Sequence, residues 1–170
     1  MNEIDKIFQY LEEKDAMRQE RRKQRQPYRK PESVKELERL HYERKHAKNP
    51  DFCHIKTKFR DDSSNGLTQC ITAWLELHGH FAGRVNTTGI YNRKLKKYIH
   101  SGSRRGMADI TSVINGRHVS IEVKHGRDRM RPEQLKVKAG IEAAGGIFIV
   151  ASSFDNFLEQ IKLITQKTRI

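Results

Sequence analysis

Apolar residues are sparse in the first third of the chain and become regularly spaced only after about residue 60. Near the start, Ile4, Phe8 and Leu11 recur at helical intervals and predict one short helix. Ser33-Val34-Lys35-Glu36 has the pattern of a capping box and predicts the start of a second helix. The two helices flank a strongly basic run.

We expect residues 1–60 to form a charged, basic arm that is helical or partly disordered. This segment has too few large apolar side chains to build a core by itself. Runs of charge usually face water, so we favour a solvated tail over a specific binding arm. The folded domain is then expected to occupy residues 61–170.

The expected domain opens with an amphipathic helix and a short strand. Apolar residues from Leu67 to Leu75 lie three or four positions apart, Ser63 or Ser64 can cap the helix, and Gly79 follows its end. The alternating residues 80–86 then predict a strand.

Residues 87–106 are polar and predict a long loop. Loops of this length are usually functional or disordered. The segment carries no acidic residue, and its basic residues are Arg93, Lys94, Lys96, Lys97, Arg104 and Arg105.

A β-hairpin is predicted next. Residues 108–114 and 117–124 are rich in β-forming residues and are separated by Asn115-Gly116. This dipeptide is the strongest short signal for a two-residue type I′ turn, so the two segments should pair antiparallel.

Such a turn fixes which residues face each other. Counting outward from it, Asp109 lies opposite Glu122, with β-carbons expected about 4.5–5.5 Å apart. Lys124 lies two residues beyond Glu122 and therefore on the same face of its strand. The hairpin thus brings an aspartate, a glutamate and a lysine together.

The rest of the domain predicts a helix, a buried strand and a last helix. Pro132 suits the first turn of a helix and Gly145-Gly146 suits its end. The apolar run 147–150 is typical of a buried central strand reached by a right-handed connection, and Ser152 or Ser153 caps the final helix. The order α-β-β-β-α-β-α indicates an α/β fold with a mixed sheet flanked by helices.

The charge of the chain indicates its partner. Its 34 lysine and arginine residues outnumber 21 acidic residues, and with a formal net charge of +13 the leading expected partner is nucleic acid. No apolar run approaches the roughly 18 residues of a membrane span. The N-terminus lacks the apolar part of a secretory signal, and we expect a cytoplasmic protein of a bacterial or phage-infected cell.

The facing acids suggest a chemistry. Opposed carboxylates repel, and a half-buried pair either takes up a proton or binds a cation such as Mg²⁺, which prefers oxygen ligands and can polarise a phosphodiester. Lys124 could then orient water or neutralise developing charge. The alternative is an exposed Glu122–Lys124 salt bridge on a solvated strand face, with Asp109 only beginning its strand.

Three motifs resemble those of the VRR-NUC branch of the PD-(D/E)xK nuclease superfamily, and the likeness extends over roughly residues 63–155. They are Gly106-Met107-Ala108-Asp109, Ile121-Glu122-Val123-Lys124 and Arg131-Pro132-Glu133-Gln134. The resemblance implies the restriction-endonuclease-like core of that superfamily and a DNA nuclease that depends on Mg²⁺ or Mn²⁺, for which we favour an endonuclease. It further implies selectivity for branched, flap or junction DNA in replication, repair or recombination.

The same resemblance implies roles for particular residues. Asp109, Glu122 and the main-chain carbonyl of Val123 would bind the metal. Lys124 would be the catalytic lysine, and Gln134 would help to position the site.

One position departs from the family pattern. Many members carry a glutamate on the first helix that supports the metal, and this chain has Gln69 near the start of that helix. Gln69 could accept a hydrogen bond from a metal-bound water but adds no charge. Glu76, a little under two turns later, is the other candidate for this role, and the alternative is that it is only a solvated helix residue. The missing acid leaves open reduced activity or dependence on a second protomer in a homodimer.

Further residues are expected to contact DNA phosphates, which position a protein without reading sequence. Besides the six basic residues of the loop, they are Arg84, Asn86, Arg127, Arg129 and Arg131. Two rival functions stay open: a catalytically weak or inactive nucleic-acid-binding protein of the same fold, and a restriction-type endonuclease that reads base sequence.

Overall fold

The computed structural model describes residues 3–23, 27–86, 89–99 and 102–166 of the chain. The helices of this part are α1 (Glu3–Lys23), α2 (Glu32–Lys48), α3 (Ser64–Leu77), α4 (Pro132–Ala143) and α5 (Phe154–Gln166). Its strands are β1 (Phe81–Arg84), β2 (Ile90–Asn92), β3 (Lys97–Ile99), β4 (Ile110–Ile114), β5 (Arg117–Val123) and β6 (Ile147–Ala151).

Four of these strands form one mixed sheet in the order β1-β4-β5-β6. The first three pair antiparallel, and β5 pairs parallel with β6 across the α4 connection. The predicted α/β fold with a mixed sheet is therefore confirmed. From α3 onward the elements follow the predicted order, with one hairpin added.

The turn between β4 and β5 is the one that the sequence predicts. The two residues of Asn115-Gly116 have φ values of 49° and 76°, and positive φ at both central positions is the mark of a type I′ turn. Ile110 pairs with Ile121 in the expected register. One step further along that register, Asp109 lies opposite Glu122.

The predicted central position of residues 147–150 is wrong. Within the described sheet, β6 is an edge strand and β5 lies between two neighbours. Alternate residues of β6 nevertheless enter two different hydrophobic clusters, one under α4 and one under α5. An edge strand covered by helices on both faces has the same apolar run as a central one, so composition does not distinguish them.

The sheet separates two hydrophobic cores. The larger core receives Ile110, Ile121 and Val123 from the sheet and is covered by α2, α3 and α5. The smaller core contains Ala108 and Phe148 and is covered by α4. Because side chains alternate along a strand, the residues between Ile121 and Val123 and just beyond them face the α4 side.

Residues 87–106 do not form the predicted uninterrupted loop. Strands β2 and β3 pair as a separate two-stranded sheet. The side-chain oxygen of Asn92 accepts hydrogen bonds from the backbone N–H groups of Lys94 and Leu95, each at 3.0 Å, and so closes the turn. The sequence did not predict this hairpin because the segment is rich in lysine, which is depleted in strands.

The expected N-terminal arm divides into two different parts. Along α1 the described side chains are exposed, including Phe8 and Leu11. In α2, by contrast, Val34 and Leu37 are fully buried in the larger core. The folded unit therefore includes α2, which lies before the expected boundary at residue 60. Two apolar side chains on one face are enough to anchor this helix, because the core that they enter is built by other elements.

The beginning of α2 also differs from the predicted capping box. The helix starts at Glu32, directly after Pro31, and places Ser33 inside its first turn. The buried hydroxyl of Ser33 has no hydrogen-bond partner among the described residues. Proline at this point already sets the backbone for helix entry.

A polar contact ties the segment before α2 to the last helix. The hydroxyl of Tyr28 donates to Oδ1 of Asp61 at 2.8 Å, and Oδ2 of Asp61 accepts from the backbone N–H of Phe154 at 3.4 Å. Burial, together with the contact to Asp61, raises the pKa of Tyr28 to about 12. Residues well before 61 thus take part in the folded unit.

The sequence predicts no membrane-spanning segment, and the helices of the described ranges are consistent with this prediction. None of them combines the length and the apolar character that crossing a bilayer requires.

Replacing Leu37 should test whether α2 belongs to the domain. Leu37→Ala removes a side chain that is only 1% exposed and should lower the free energy of unfolding by about 2–5 kcal/mol. Leu11→Ala on α1 is the matched control and should change it by less than about 0.5 kcal/mol. Urea unfolding followed by circular dichroism measures both variants. If Leu37→Ala were as stable as Leu11→Ala, the packing of α2 against the core would be contradicted.

Candidate functional site

Asp109 lies directly before β4 and is held from two sides. Its carbonyl oxygen accepts a hydrogen bond from the N–H of Val85 at 2.8 Å, at the end of β1. Its side-chain Oδ2 accepts from the N–H of Val123 at 2.9 Å. In an extended strand the N–H and C=O of one residue point to the same side, so the carbonyl of Val123 also points towards Asp109.

Glu122 is a buried acid with one occupied and one free oxygen. The residue is 2% exposed. Its Oε1 accepts hydrogen bonds from Nε2 of Gln134 at 2.5 Å and from the ammonium group of Lys124 at 2.9 Å. Its Oε2 is buried and has no partner among the described residues.

Lys124 is 8% exposed and lies in the middle of a polar network. Its Nζ contacts Oε1 of Glu122, donates to Oε1 of Gln134 at 3.0 Å, and reaches Oδ2 of Asp128 at 3.4 Å. Its backbone N–H donates to the carbonyl of Ala151 at 2.9 Å, which continues the pairing with β6. The lysine is thus fixed at both its backbone and its ammonium group.

Gln134 is positioned by the start of α4. Its side-chain oxygen accepts from the backbone N–H of Arg131 at 3.0 Å, in the manner of a capping box, while the same side chain contacts Glu122 and Lys124. Gly106 lies against this turn with φ of 83°, and a β-carbon there would come within 2.5 Å of the carbonyl oxygen of Glu133. Only glycine allows this close approach.

The surroundings of Glu122 oppose its ionisation. Burial is the main cause of a raised pKa, and the negative charge of Asp109 adds to it. Lys124 and Gln134 act in the opposite direction by donating hydrogen bonds to the carboxylate. The net direction is upward, so the carboxylate of Glu122 is incompletely compensated by the protein.

The alternative of a solvated salt bridge does not hold, because Glu122 and Lys124 are both buried. Asp109 does more than begin a strand, since its side chain bridges to β5. The structure therefore brings together four of the predicted site residues, namely Asp109, Glu122, Lys124 and Gln134.

Gln69 is not joined to this group. It is exposed on α3, and its side chain makes no hydrogen bond to the four site residues in the part of the chain that the structure describes. The support for the site expected from Gln69 is thus not seen in the hydrogen bonds of the described residues.

The residues expected to contact DNA share one property: all of them are exposed. Arg84 donates to Oδ1 of Asn65 at 2.5 Å, and the carbonyl of Asn86 accepts from the hydroxyl of Ser103 at 3.1 Å. The others are Arg93, Lys94, Lys96 and Lys97 on the hairpin, Arg104 and Arg105 after it, and Arg127, Arg129 and Arg131 before α4.

Sequence reasoning missed Asp128. This acid contacts the ammonium group of Lys124 and also accepts from the backbone N–H of Arg129 at 2.9 Å. Its signal was present, since it is the one acid in an otherwise basic loop and lies four residues after Lys124. Nearby, Nδ1 of His125 is buried and without a partner among the described residues.

The donor set fits a hard divalent cation such as Mg²⁺ or Mn²⁺. The negative charge of Asp109 is near enough to act on Glu122, strand geometry turns the carbonyl of Val123 towards Asp109, and Oε2 of Glu122 is an unused acceptor among the described residues. No cluster of three or more His, Cys, Asp or Glu side chains suited to a metal occurs in the described ranges. An ion held by two carboxylates and one carbonyl would complete its coordination with water.

Comparison with known proteins adds no further information about the site: the chain matches no protein-family model and no curated protein.

The raised pKa of Glu122 predicts a pH dependence of stability. A carboxyl group whose pKa is raised by folding contributes stability while protonated, and that contribution is lost as pH rises from the unfolded value near 4.5 through the folded value. Between about pH 4 and pH 7, the stability of Glu122→Gln should therefore rise relative to that of the wild type. Urea unfolding across this range, without divalent ions, measures the difference.

Glu159→Gln, at an exposed position on α5, is the matched control and should show no such trend. A stability difference between Glu122→Gln and the wild type that does not change with pH would contradict the raised pKa.

Proposed function

We propose that this protein is a metal-dependent DNA endonuclease that hydrolyses phosphodiester bonds, selective for branched, flap or junction DNA. One observation carries the proposal: Glu122 and Lys124 are buried together near the charge of Asp109, and one oxygen of Glu122 has no protein partner among the described residues. A buried carboxylate whose charge is only partly compensated is unfavourable unless it takes up a proton or a further cation binds to it. The resemblance of the same residues to the VRR-NUC motifs supports the assignment.

Asp109, Glu122 and the carbonyl of Val123 would hold Mg²⁺ or Mn²⁺, with Gln69 able to contribute only through water. When bound, the ion supplies Lewis-acid stabilisation of the negative charge that develops on the phosphate. The backbone contact from Val123 and the register of β4 and β5 fix Asp109 beforehand, so the two acids need little rearrangement.

Lys124 would neutralise negative charge on the scissile phosphate. The N–H group that now reaches the exposed Asp128 at 3.4 Å would turn to the attacking water, while the contacts to Glu122 and Gln134 are kept. Glu122 and Gln134 hold that ammonium group, and Gln134 in turn is held by the first turn of α4. Gln134 is therefore a positioning residue in this proposal. The order of elements from α3 to α5 agrees with a PD-(D/E)xK core, which is the fold we propose for the domain.

The exposed basic residues would bind the DNA backbone around the site. Arg127, Arg129 and Arg131 precede the N-terminus of α4, where backbone N–H groups and the helix dipole favour phosphate. The role proposed for such contacts is to place a branched substrate over the metal site rather than to read its sequence.

A second candidate is a nucleic-acid-binding protein of the same fold with little or no activity. The observation that favours it is Gln69, which replaces an acid and makes no hydrogen bond to the site in the described structure. A homodimer in which a second protomer supplies the missing group would restore activity, so cleavage should be measured over a range of protein concentrations.

Asp109→Asn tests the metal site directly. It removes a ligand charge while keeping the size of the side chain, and should lower the rate of Mg²⁺-dependent cleavage by about 10²-fold or more. Affinity for the same DNA in EDTA should change by less than about threefold, since most binding comes from phosphate contacts elsewhere. Lys124→Ala should act similarly on the rate. A labelled flap or four-way junction serves as the substrate.

Asp155→Asn and Lys162→Ala, both exposed on α5, are the charge-matched controls and should cleave at the wild-type rate. EDTA should abolish cleavage by the wild type and spare much of its binding. Cleavage by Asp109→Asn at the wild-type rate would remove the proposed metal site, and wild-type protein that binds without cutting would favour the second candidate.

The hairpin lysines should contribute to affinity rather than to chemistry. Replacing Lys94, Lys96 and Lys97 by Ala should weaken binding and flatten the dependence of log K on log salt, by up to about one unit for each phosphate that the protein no longer neutralises. Replacing Lys35, Lys45 and Lys48 of α2, which lies in the layer across the sheet from α4, removes the same charge and should change the slope less. Equal slopes for the two variants would place the hairpin away from DNA.

A further inference from the structure

The two-stranded ribbon formed by residues 90–99 stands apart from the main sheet. Its strands pair only with each other among the described strands. A lone two-stranded hairpin is at best marginally stable in water, because it has no hydrophobic face to bury. Leu95 at its turn and Ile99 in β3 are nevertheless 58% and 44% exposed.

Two tyrosines occupy one face of this ribbon. Tyr91 and Tyr98 are directly opposite each other, so their side chains lie on the same face, with ring centroids 5.6 Å apart. They are 51% and 68% exposed. Two neighbouring aromatic rings are thus presented to solvent rather than to the core.

The charge around the rings is of one sign. Between Glu76 and Asp109 the sequence contains no acidic residue. It contains seven basic ones in the same interval, namely Arg84, Arg93, Lys94, Lys96, Lys97, Arg104 and Arg105. Four of the seven are on the ribbon itself, so the partner that this surface complements is a polyanion.

The base of the ribbon adjoins the proposed active site. The hydroxyl of Ser103 donates to the carbonyl of Asn86 at 3.1 Å, so the two ends of the segment that contains the ribbon lie next to each other. The neighbouring residue Val85 donates its backbone N–H to the carbonyl of Asp109 at 2.8 Å. The ends of the ribbon segment therefore lie close to Asp109, so a DNA strand along the ribbon would pass near the proposed metal ligands.

We propose that the ribbon binds unpaired nucleotides, with bases stacking on Tyr91 and Tyr98 and phosphates contacting the surrounding lysines and arginines. This proposal rests on the proposed nuclease function and narrows its substrate to DNA with a single-stranded segment beside a duplex. Paired DNA keeps its base faces covered within the stack, and phosphate contacts alone need no aromatic ring. Exposed rings within a basic surface are the arrangement that binds single strands without reading their sequence.

The test compares two DNAs in EDTA, so that binding is measured without cleavage. One is a duplex with a single-stranded arm and the other is a fully paired duplex of equal charge, both followed by fluorescence anisotropy. The double variant Tyr91→Ala with Tyr98→Ala should bind the armed DNA at least about tenfold more weakly, since each stacked base contributes about 1–3 kcal/mol. Its affinity for the paired duplex should stay within about twofold of the wild type.

Two further variants show whether the aromatic ring is responsible. Tyr91→Phe with Tyr98→Phe keeps both rings and should bind the armed DNA like the wild type. Phe52→Ala removes a ring that is 73% exposed outside the ribbon and should have no effect. As a second measurement that needs no variant, 2-aminopurine in the unpaired arm should be quenched when the wild-type protein binds.

Three results would overturn base stacking by this ribbon. The alanine variant could lose affinity equally for both DNAs, the phenylalanine variant could lose as much affinity as the alanine variant, or 2-aminopurine could stay unquenched. The proposed nuclease function fails on a different result, the absence of Mg²⁺-dependent cleavage by the wild type. Stacking without cleavage would leave the ribbon's role intact, and cleavage without stacking would leave the nuclease intact.

Discussion

The site depends on keeping Glu122 inside the protein as part of a polar network. Burial of a carboxylate is costly, and among the described residues only one of its two oxygens is compensated, by Lys124 and Gln134. The nearby charge of Asp109 makes ionisation still less favourable. In the proposed function a divalent ion would balance this arrangement, and its ligands would already be in place before the ion binds.

The network also links separate parts of the fold. Gln134 belongs to the first turn of α4, and that turn packs against Gly106, three residues before Asp109. Glu122 belongs to β5, and Lys124, directly after that strand, continues the pairing with β6. Movement of α4 away from the sheet would therefore disturb the lysine and the glutamate together, while the aspartate would remain fixed by β1 and β5.

Chemistry and charge are carried by different kinds of structure. The acids and the lysine lie on or next to paired strands with hydrophobic cores on either side, whereas most of the basic residues proposed to contact DNA lie on the ribbon and on the loop before α4. A rigid sheet keeps reacting groups in register, and surface excursions can adapt to the shape of a nucleic acid. In the proposed function, residues held by the sheet position the scissile bond, and the ribbon selects the substrate.

Local interactions determined what could be predicted from the sequence. The Asn115-Gly116 turn fixed the pairing of Asp109 with Glu122, and short-range signals at Ser63 and Pro132 located the starts of α3 and α4, because a turn or a cap involves only residues close together in the chain. The ribbon escaped prediction because its lysines obscure the strand pattern that Tyr91 and Tyr98 share. Only the tertiary structure decided that Leu37 is a core residue, that β6 is at an edge, and that Glu122 and Lys124 are buried. Burial depends on which distant elements cover a surface, and no local pattern along the chain contains that information.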